Sequence, residues 1–529
     1  MKLITFIAAF ILIPIFSFAQ ANKVEDLDTT YLNWYNQDYE ATGVLGASVD
    51  YAYDYLEKEQ LVSTTVVVAV IDGGVDIDHE DLKERIWVNE DEIADNGIDD
   101  DENGYIDDMH GWNFIGNADG ENVKYENLEY TRLVRENDAN NPLLPRAQEM
   151  YDNELEKRRK ERESLDGFIQ VVEKTFWIIK TKTGVEIKTA EDLKRVQSED
   201  PQVLAAKKFL QGRFDAGFTM ELLDQLVEQN RDYLDYHLNQ NFRPREIVGD
   251  NPNDWKDRGY GNPDVKGPRA DHGTSVAGVI AAVRDNEIGI NGIASDVEIM
   301  VVRSTPKGDE RDKDVALAIY YAVDNGADII NMSFGKEFSP QKQFVDEAVR
   351  YAEQKGVLLI HTAGNNGLNI DQEPRYPTDE FLEGGYASNW LNVGASTLEL
   401  NKELVAQFSN YGAEDVDIFA PGVNILSTDT LNTYSLHDGT SLAAPVVSGV
   451  AALVLSYYPD LQPLELIDIL LSSSFQFKKP KKVYLPNLEA EKPSKVKFDE
   501  LSTSGGVVNA YLALKEAQKR NMEASLKGG

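Results

Sequence analysis

Three short stretches of this chain carry residue types that together could run nucleophilic acyl chemistry. Val70-Ile71-Asp72-Gly73-Gly74 ends an apolar run on an aspartate, and Asp271-His272-Gly273-Thr274-Ser275-Val276-Ala277-Gly278 puts a histidine at the entry to a small-residue helix. Gly439-Thr440-Ser441-Leu442-Ala443-Ala444-Pro445 puts a serine at another helix entry; Pro445 is tolerated there because first-turn N–H groups have no partner within the helix. A serine hydroxyl is a poor nucleophile at neutral pH. It needs an imidazole to take its proton and a carboxylate to orient that imidazole and support its charge. The expected roles are Ser441 as nucleophile, His272 as general base and acid, and Asp72 as orienter. A helix start at Ser441 also aims backbone N–H groups and a positive dipole end at a developing oxyanion. Asn365, in Thr362-Ala363-Gly364-Asn365-Asn366-Gly367 after a buried run, is the expected second donor.

One Asp, His or Ser in a glycine-rich turn is more often a cap or turn residue. Here the partners occur together, each at an element end. His79, His110, His237, His361 and His437 lack such company and receive no catalytic role; Asn366 reads as a turn residue.

Asp99-Asp100-Asp101-Glu102-Asn103-Gly104-Tyr105-Ile106-Asp107-Asp108 has oxygen side chains at alternate positions and then a glycine. It matches the first nine positions of a calcium loop, with Asp99, Asp101, Asn103 and Asp107 as ligands and Tyr105 offering its carbonyl. His110 stands where the twelfth-position glutamate is usual, and Asp108 is its expected substitute. An acidic turn without a ligand is the bland reading, but carboxylates gathered without a cation repel one another. A structural calcium is expected. Asp250-Asn251-Pro252-Asn253-Asp254 is a weaker second cluster.

The elements that must position these residues alternate along the chain. Apolar runs at residues 66–71, 297–302, 328–332, 357–361 and 391–393 read as buried strands. Helical patterns at 274–283, 313–325, 341–354 and 443–458 separate or follow them. Such alternation predicts an α/β three-layer sandwich with a mostly parallel central sheet, whose working residues sit beyond the carboxyl ends of the strands. Residues 120–246 read as a helical insertion, with Leu204, Leu210, Phe214, Phe218, Leu222, Leu226 and Leu234 at helical spacing and a capping box at Thr189–Asp192. The expected order is a signal peptide at 1–19, an N-terminal extension at 20–60, a discontinuous main domain at 61–119 and 247–515, and a C-terminal tail at 516–529. Residues 475–500 read as a surface loop.

Composition narrows the function. Of 529 residues, 52 are basic and 91 acidic, a formal net charge of −39. Such a surface repels nucleic acid and anionic membrane and suits bound cations. No cysteine is present, which excludes disulfides, thiol catalysis and cysteine-ligated metals. Lys2, the apolar stretch from Leu3 to Phe16 and Ser17-Phe18-Ala19 fit a cleaved export signal, so a periplasmic or extracellular protein without stable membrane insertion is expected.

The motifs D-[TSG]-G, H-G-T-x-x-A-G, A-G-N and G-T-S-x-A-x-P occur in order, and by them the chain resembles the subtilisin-like serine peptidases. His79-Glu80-Asp81-Leu82, Phe408-Ser409-Asn410-Tyr411-Gly412, Ala420-Pro421-Gly422 and Gly506-Val507-Val508-Asn509-Ala510 add to the likeness, which covers about residues 62–118 and 250–515. The resemblance implies a serine endopeptidase acting on peptides or unfolded proteins, with no cofactor for the chemistry. It also implies a substrate-binding strand in Asn331-Met332-Ser333-Phe334-Gly335, where Ser333, Phe334 and Gly335 join Ala363 and Gly364 in binding substrate. The sequence departs from the family at Gly73, at Ser275 (where a second histidine is common), at Leu442 (where methionine is usual) and in the roughly 200 residues between Asp72 and His272. The rivals are a catalytically silent homologue that binds peptides, an esterase, which the absence of G-x-S-x-G around Ser441 disfavours, and a calcium-dependent adhesion protein.

Overall fold

The computed structural model describes residues 29–528 apart from Glu489 and Glu491; the expected signal peptide lies outside the described residues. Two compact units divide the chain, one of residues 125–243 and one of the remaining described residues. The division falls a few residues inside the expected 120–246 segment for a physical reason. Val123 N donates to Ile115 O, and Arg245 grips Asp314 with both terminal nitrogens, so both stretches belong to the larger unit.

The larger unit is organised by seven strands: β1 Val66–Asp72, β2 Gly111–Asn113, β3 Val297–Arg303, β4 Ile329–Met332, β5 Leu358–Thr362, β6 Trp390–Ser396 and β7 Ile418–Pro421. They form one sheet in the order β2-β3-β1-β4-β5-β6-β7, with every adjacent pair parallel. β1 shows why the fold has three layers. Val66, Val68 and Val70 face a core shared with the Asp271–Ala281 and Thr440–Tyr457 helices, whereas Ala69 and Ile71 face a core shared with the Asp312–Asp324 and Lys342–Lys355 helices. A strand buried on both faces has no polar alternation, and its sequence is therefore a continuous apolar run. Thr440–Tyr457 is the one described helix long and apolar enough to cross a membrane, and it is buried in this core.

The segment before β1 is part of the fold. Trp34, Tyr35, Ala47, Val49, Ala52 and Leu56 enter the same core as β1, and the Trp34 indole N–H donates to Asn424 O at 2.9 Å. The Val49–Glu59 helix packs on a helix running from Ala510 to Gly528. The boundary expected at residue 516 thus falls within one continuous helix, whose Ala513, Leu514 and Ala517 are buried. The expected loop at 475–500 carries a short antiparallel pair, Val483–Tyr484 with Lys495–Val496. Trp34→Ala should cost about 3–5 kcal/mol, the usual loss for a large buried aromatic. A chemical-denaturation midpoint equal to the parent's would show that the segment is dispensable.

The smaller unit is helical, built around the forty-residue helix Leu144–Thr183 with Pro201–Phe214 and Met220–Asp232. The capping box at Thr189 and Asp192 is formed. Its core takes Ile179, Leu193, Val203, Ala206 and Leu210, while Leu204 is 51% exposed. Two helical phases overlap in Val203-Leu204, and packing selected Val203 where the expected face contained Leu204.

Candidate active site

Asp72 is the last residue of β1, and its carbonyl accepts the N–H groups of Ser304 and Thr305. One carboxylate oxygen accepts the Gly73 N–H at 2.6 Å, and the pair of oxygens lies 2.8 and 3.0 Å from His272 Nδ1. Asp72 is buried, which makes it a strong orienting partner. His272 opens the Asp271–Ala281 helix. A side chain on Gly273 would place its Cβ 2.2 Å from Gly74 O, so only glycine lets this helix start so close to the end of β1. Burial disfavours the imidazolium of His272, but the charge and hydrogen bond of Asp72 outweigh it and hold the group above its ordinary value.

Ser441 sits in the first turn of the Thr440–Tyr457 helix, whereas Pro445, expected in that turn, lies beyond it inside the helix. Asn365 follows β5, and its orientation is set by Thr440, whose N–H and hydroxyl both donate to Asn365 Oδ1, at 2.9 and 2.8 Å. That clamp leaves Nδ2 with no acceptor among the described residues. A Cβ built on Gly439 would lie 2.9 Å from Ser441 Oγ, 3.5 Å from Asn365 Nδ2 and 3.6 Å from Ser441 N. One small volume, kept clear because residue 439 is glycine, is therefore ringed by a hydroxyl and two N–H donors. No hydrogen bond joins Ser441 Oγ to His272 Nε2 among the described residues; such bonds are often long without substrate and tighten when it binds.

Ser333 is tied to this centre: its hydroxyl donates to Ser441 O at 2.9 Å and is itself held by Asn331 Nδ2 at 3.0 Å. Ala363 O accepts from Asn410 Nδ2, and Gly364 N donates to the Thr440 hydroxyl, so both turn residues are fixed beside Asn365. Phe334 is buried, and Gly335 leads into a two-way bridge between Lys336 and Tyr376.

Sequence reasoning missed several partners. Thr440 lies inside a motif, but its clamp on Asn365 spans 75 residues and has no local signal. His437 Nε2 lies 2.8 Å from Ser275 Oγ and 2.6 Å from Ser435 Oγ. An imidazole at the end of the Thr433–His437 strand thus reaches Ser275 on the Asp271–Ala281 helix, where the family often carries its second histidine. Burial, reinforced by the charge of His272, draws His437 down to about 4.

The acidic loop is rearranged relative to expectation. Asp99 and Asp101 gather with Glu92, each offering an oxygen within 4.8 Å of the others. Asp107 and Asp108 stand outside that trio. Asp107 is turned toward the N–H groups of Asn96 and Gly97, and Asp108 is held by Tyr321 OH, Asn89 and Asn103. Asn103 donates its amide to Asp101 and Asp108. Glu92 lies upstream of the loop and was invisible to a pattern that starts at Asp99. All-oxygen carboxylate donors fit a hard cation such as calcium. Asp250, in the second cluster, is neutralised by Arg245 and Lys313, the latter at 2.7 Å, and offers nothing to a metal.

Comparison with known proteins gives the family of the chain. The subtilase family model matches residues 215–506, more than half of the chain, and the chain belongs to that family. The match takes in His272, Asn365 and Ser441; Asp72 lies upstream of it and is placed by its bonds to His272. The chain is similar to the thermophilic serine proteinase of Bacillus sp. (strain AK1), 39% identical over 204 residues, covering 38% of this chain and 46% of that protein. It is 37% identical over 207 residues to subtilisin DY of Bacillus licheniformis, covering 38% of this chain and 70% of that one. The chain spans about half the length of most curated relatives it matches. A solved structure described as proteases from Pseudoalteromonas arctica PAMC 21717 aligns over 94% of this chain and all of its own, at 20% identity and a TM-score of 0.47.

Proposed function

We propose that this subtilase is an exported serine endopeptidase that hydrolyses peptide bonds through an acyl-enzyme on Ser441. The observation that carries this reading is the cleared volume before Gly439, bordered by Ser441 Oγ, Ser441 N and Asn365 Nδ2. A scissile carbonyl placed there has its carbon before the nucleophile and its oxygen between two donors. His272 takes the hydroxyl proton and returns it to the leaving amine, while Asp72 holds the ring by Nδ1 and supports its charge. Ser333, Phe334 and Gly335, with Ala363 and Gly364, line the path of an extended peptide. The four roles are filled together, which favours an enzyme over a silent peptide binder. An aryl sulfonyl fluoride should modify Ser441 and stop casein cleavage; a folded chain whose Ser441 stays unmodified would reject the reading. The leader-like first residues support export.

Because Asp72 holds His272 above its ordinary value, and the reaction needs a neutral ring, activity is lost as pH falls through that raised value. The acid limb of kcat/KM should therefore have its midpoint above about 6.5. Asp72→Asn should move it lower, since burial is then no longer outweighed by the Asp72 charge. A midpoint that stays put in the variant would detach Asp72 from His272.

Glu92, Asp99 and Asp101 would hold a calcium ion in a structural role, while Asn103 turns its amide N–H toward Asp101 and keeps its oxygen on the Tyr105 N–H. At calcium a hundredfold above Kd, binding to the native state should contribute about 2.7 kcal/mol. The melting temperature should rise by a few degrees, and Glu92→Gln should shrink the rise. Equal melting in millimolar calcium and in excess chelator would remove the site.

A further inference from the structure

Beneath the Ser333–Gly335 stretch lies a histidine that the triad does not use. His361 is on β5, in register with Met332 of β4 and Asn392 of β6, and is 1% exposed. Its Nε2 is 2.8 Å from Phe334 O, and its Nδ1 is 2.9 Å from Asn392 Oδ1. The orientation of the Asn392 amide is fixed independently. Nδ2 donates to Asp415 O at 3.0 Å, and Oδ1 accepts the Trp390 indole N–H at 3.1 Å. An indole can only donate, so the atom facing His361 is an acceptor, and so is the Phe334 carbonyl. A neutral imidazole has one N–H and cannot serve both. Burial opposes the doubly protonated ring and draws His361 down to about 4, against the pull of the two acceptors. A neutral ring therefore donates to only one of the two acceptors, the Phe334 carbonyl or Asn392.

The strand has need of that hold. The ladder from β4 to its neighbours ends at Met332, and Ser333–Gly335 continues beyond it. Its anchors are Ser333 Oγ on Ser441 O, Phe334 O on His361, and the Lys336–Tyr376 bridge. The first and third fix its ends, and among the described residues His361 supplies the hydrogen bond on its middle, to a Phe334 whose ring is buried in the core. The imidazole also backs the strand sterically: a Cβ on Gly335 would lie 3.7 Å from Nε2, and the Phe334 ring meets the imidazole edge-on at 6.4 Å between centroids.

We propose that His361 is a specificity-determining positioning residue, whose Nε2–H pins the Phe334 carbonyl and so sets how well the site accepts a bulky side chain on the acyl side of the scissile bond. This rests on the peptidase reading above. His361→Leu keeps approximate volume and removes the donor, whereas His361→Gln keeps an N–H able to reach Phe334 O. For peptides with phenylalanine before the scissile bond, His361→Leu should raise KM about tenfold, the size of one lost buried hydrogen bond, with kcat within about twofold. With alanine at that position the change should be several-fold smaller, and His361→Gln should restore the parent's ratio between the two peptides. A folded leucine variant with that ratio unchanged, or one that loses kcat at constant KM, overturns the proposal.

A second readout does not depend on cleavage and also serves if the leucine variant does not fold. In the 15N-histidine-labelled Ser441→Ala chain, the His361 signals, assigned by their absence from its Gln variant, should report a protonated Nε2. A bare Nε2 overturns the proposal. Failure of the parent to cleave any peptide, with Nε2 protonated, would place the fault in the peptidase reading and leave the strand anchor standing as measured.

Discussion

Ser441→Ala should reduce kcat for peptide cleavage about a million-fold, the size this change has in subtilisin, a member of the same family. That is about 8 kcal/mol of transition-state stabilisation. The change removes one oxygen and leaves the fold's contacts in place, because the bond from Ser333 goes to the Ser441 carbonyl and not to its side chain. The melting temperature should therefore stay close to the parent's. His272→Ala should cost a similar factor, and the double variant little more, because base and nucleophile act as one unit. Asp72→Asn should cost about 10⁴ by favouring the wrong tautomer of His272. The measurement is release of peptides from unfolded casein in millimolar calcium, with parent and variant purified side by side. If the alanine variant cleaves at the parent's rate, Ser441 is not the nucleophile.

Much of this site can be read from the sequence because each group sits at the end of an element with a strong local pattern. The apolar run of β1 announces a strand buried on both faces, and Asp72 is its last residue. The small residues after His272 announce a helix packed tightly from its second turn, and the structure buries every residue from Gly273 to Ala281. What could not be read is what joins distant segments. Thr440 orients Asn365 across 75 residues, His361 holds Phe334 across 27, and His437 reaches Ser275 across 162. No periodicity or motif encodes such pairings; they exist only once the fold has brought the distant elements together, as the register of β4, β5 and β6 does for His361. The acidic loop gives the same lesson. Spacing within Asp99–Asp108 suggested the ligands, but Glu92 enters from an earlier turn because its carboxylate accepts the Asp100 and Asp101 N–H groups. The N-terminal extension before β1 is mixed and tyrosine-rich in sequence, a composition that says nothing of packing, yet Trp34 and Tyr35 are almost wholly buried.

Asn365→Leu should lower kcat by a factor of 10² to 10³, about 2.7–4 kcal/mol, and leave KM nearly unchanged. The split follows from where the amide stands. Nδ2 borders the volume before Gly439, where an oxyanion forms only as Ser441 attacks, so its donation is worth most in the transition state. Its other end offers an internal control. Thr440→Val removes the hydroxyl that donates to Asn365 Oδ1 but keeps the Thr440 N–H bond at 2.9 Å, so the amide is loosened and not lost. Its kcat should fall only about tenfold, because the amide keeps its N–H anchor and the bonds that Thr362 Oγ1 and Gly364 N also lose with the hydroxyl act on it through position alone. Asn365→Asp should be worse than Asn365→Leu: it can still accept from Thr440, but it sets a negative charge against the forming oxyanion. The order of kcat, parent above Thr440→Val above Asn365→Leu above Asn365→Asp, separates donation from mere packing, since packing would rank the nearly isosteric aspartate above leucine. If Asn365→Leu instead raised KM and spared kcat, the amide would be binding the ground-state peptide, and the oxyanion would have to rest on the Ser441 N–H alone.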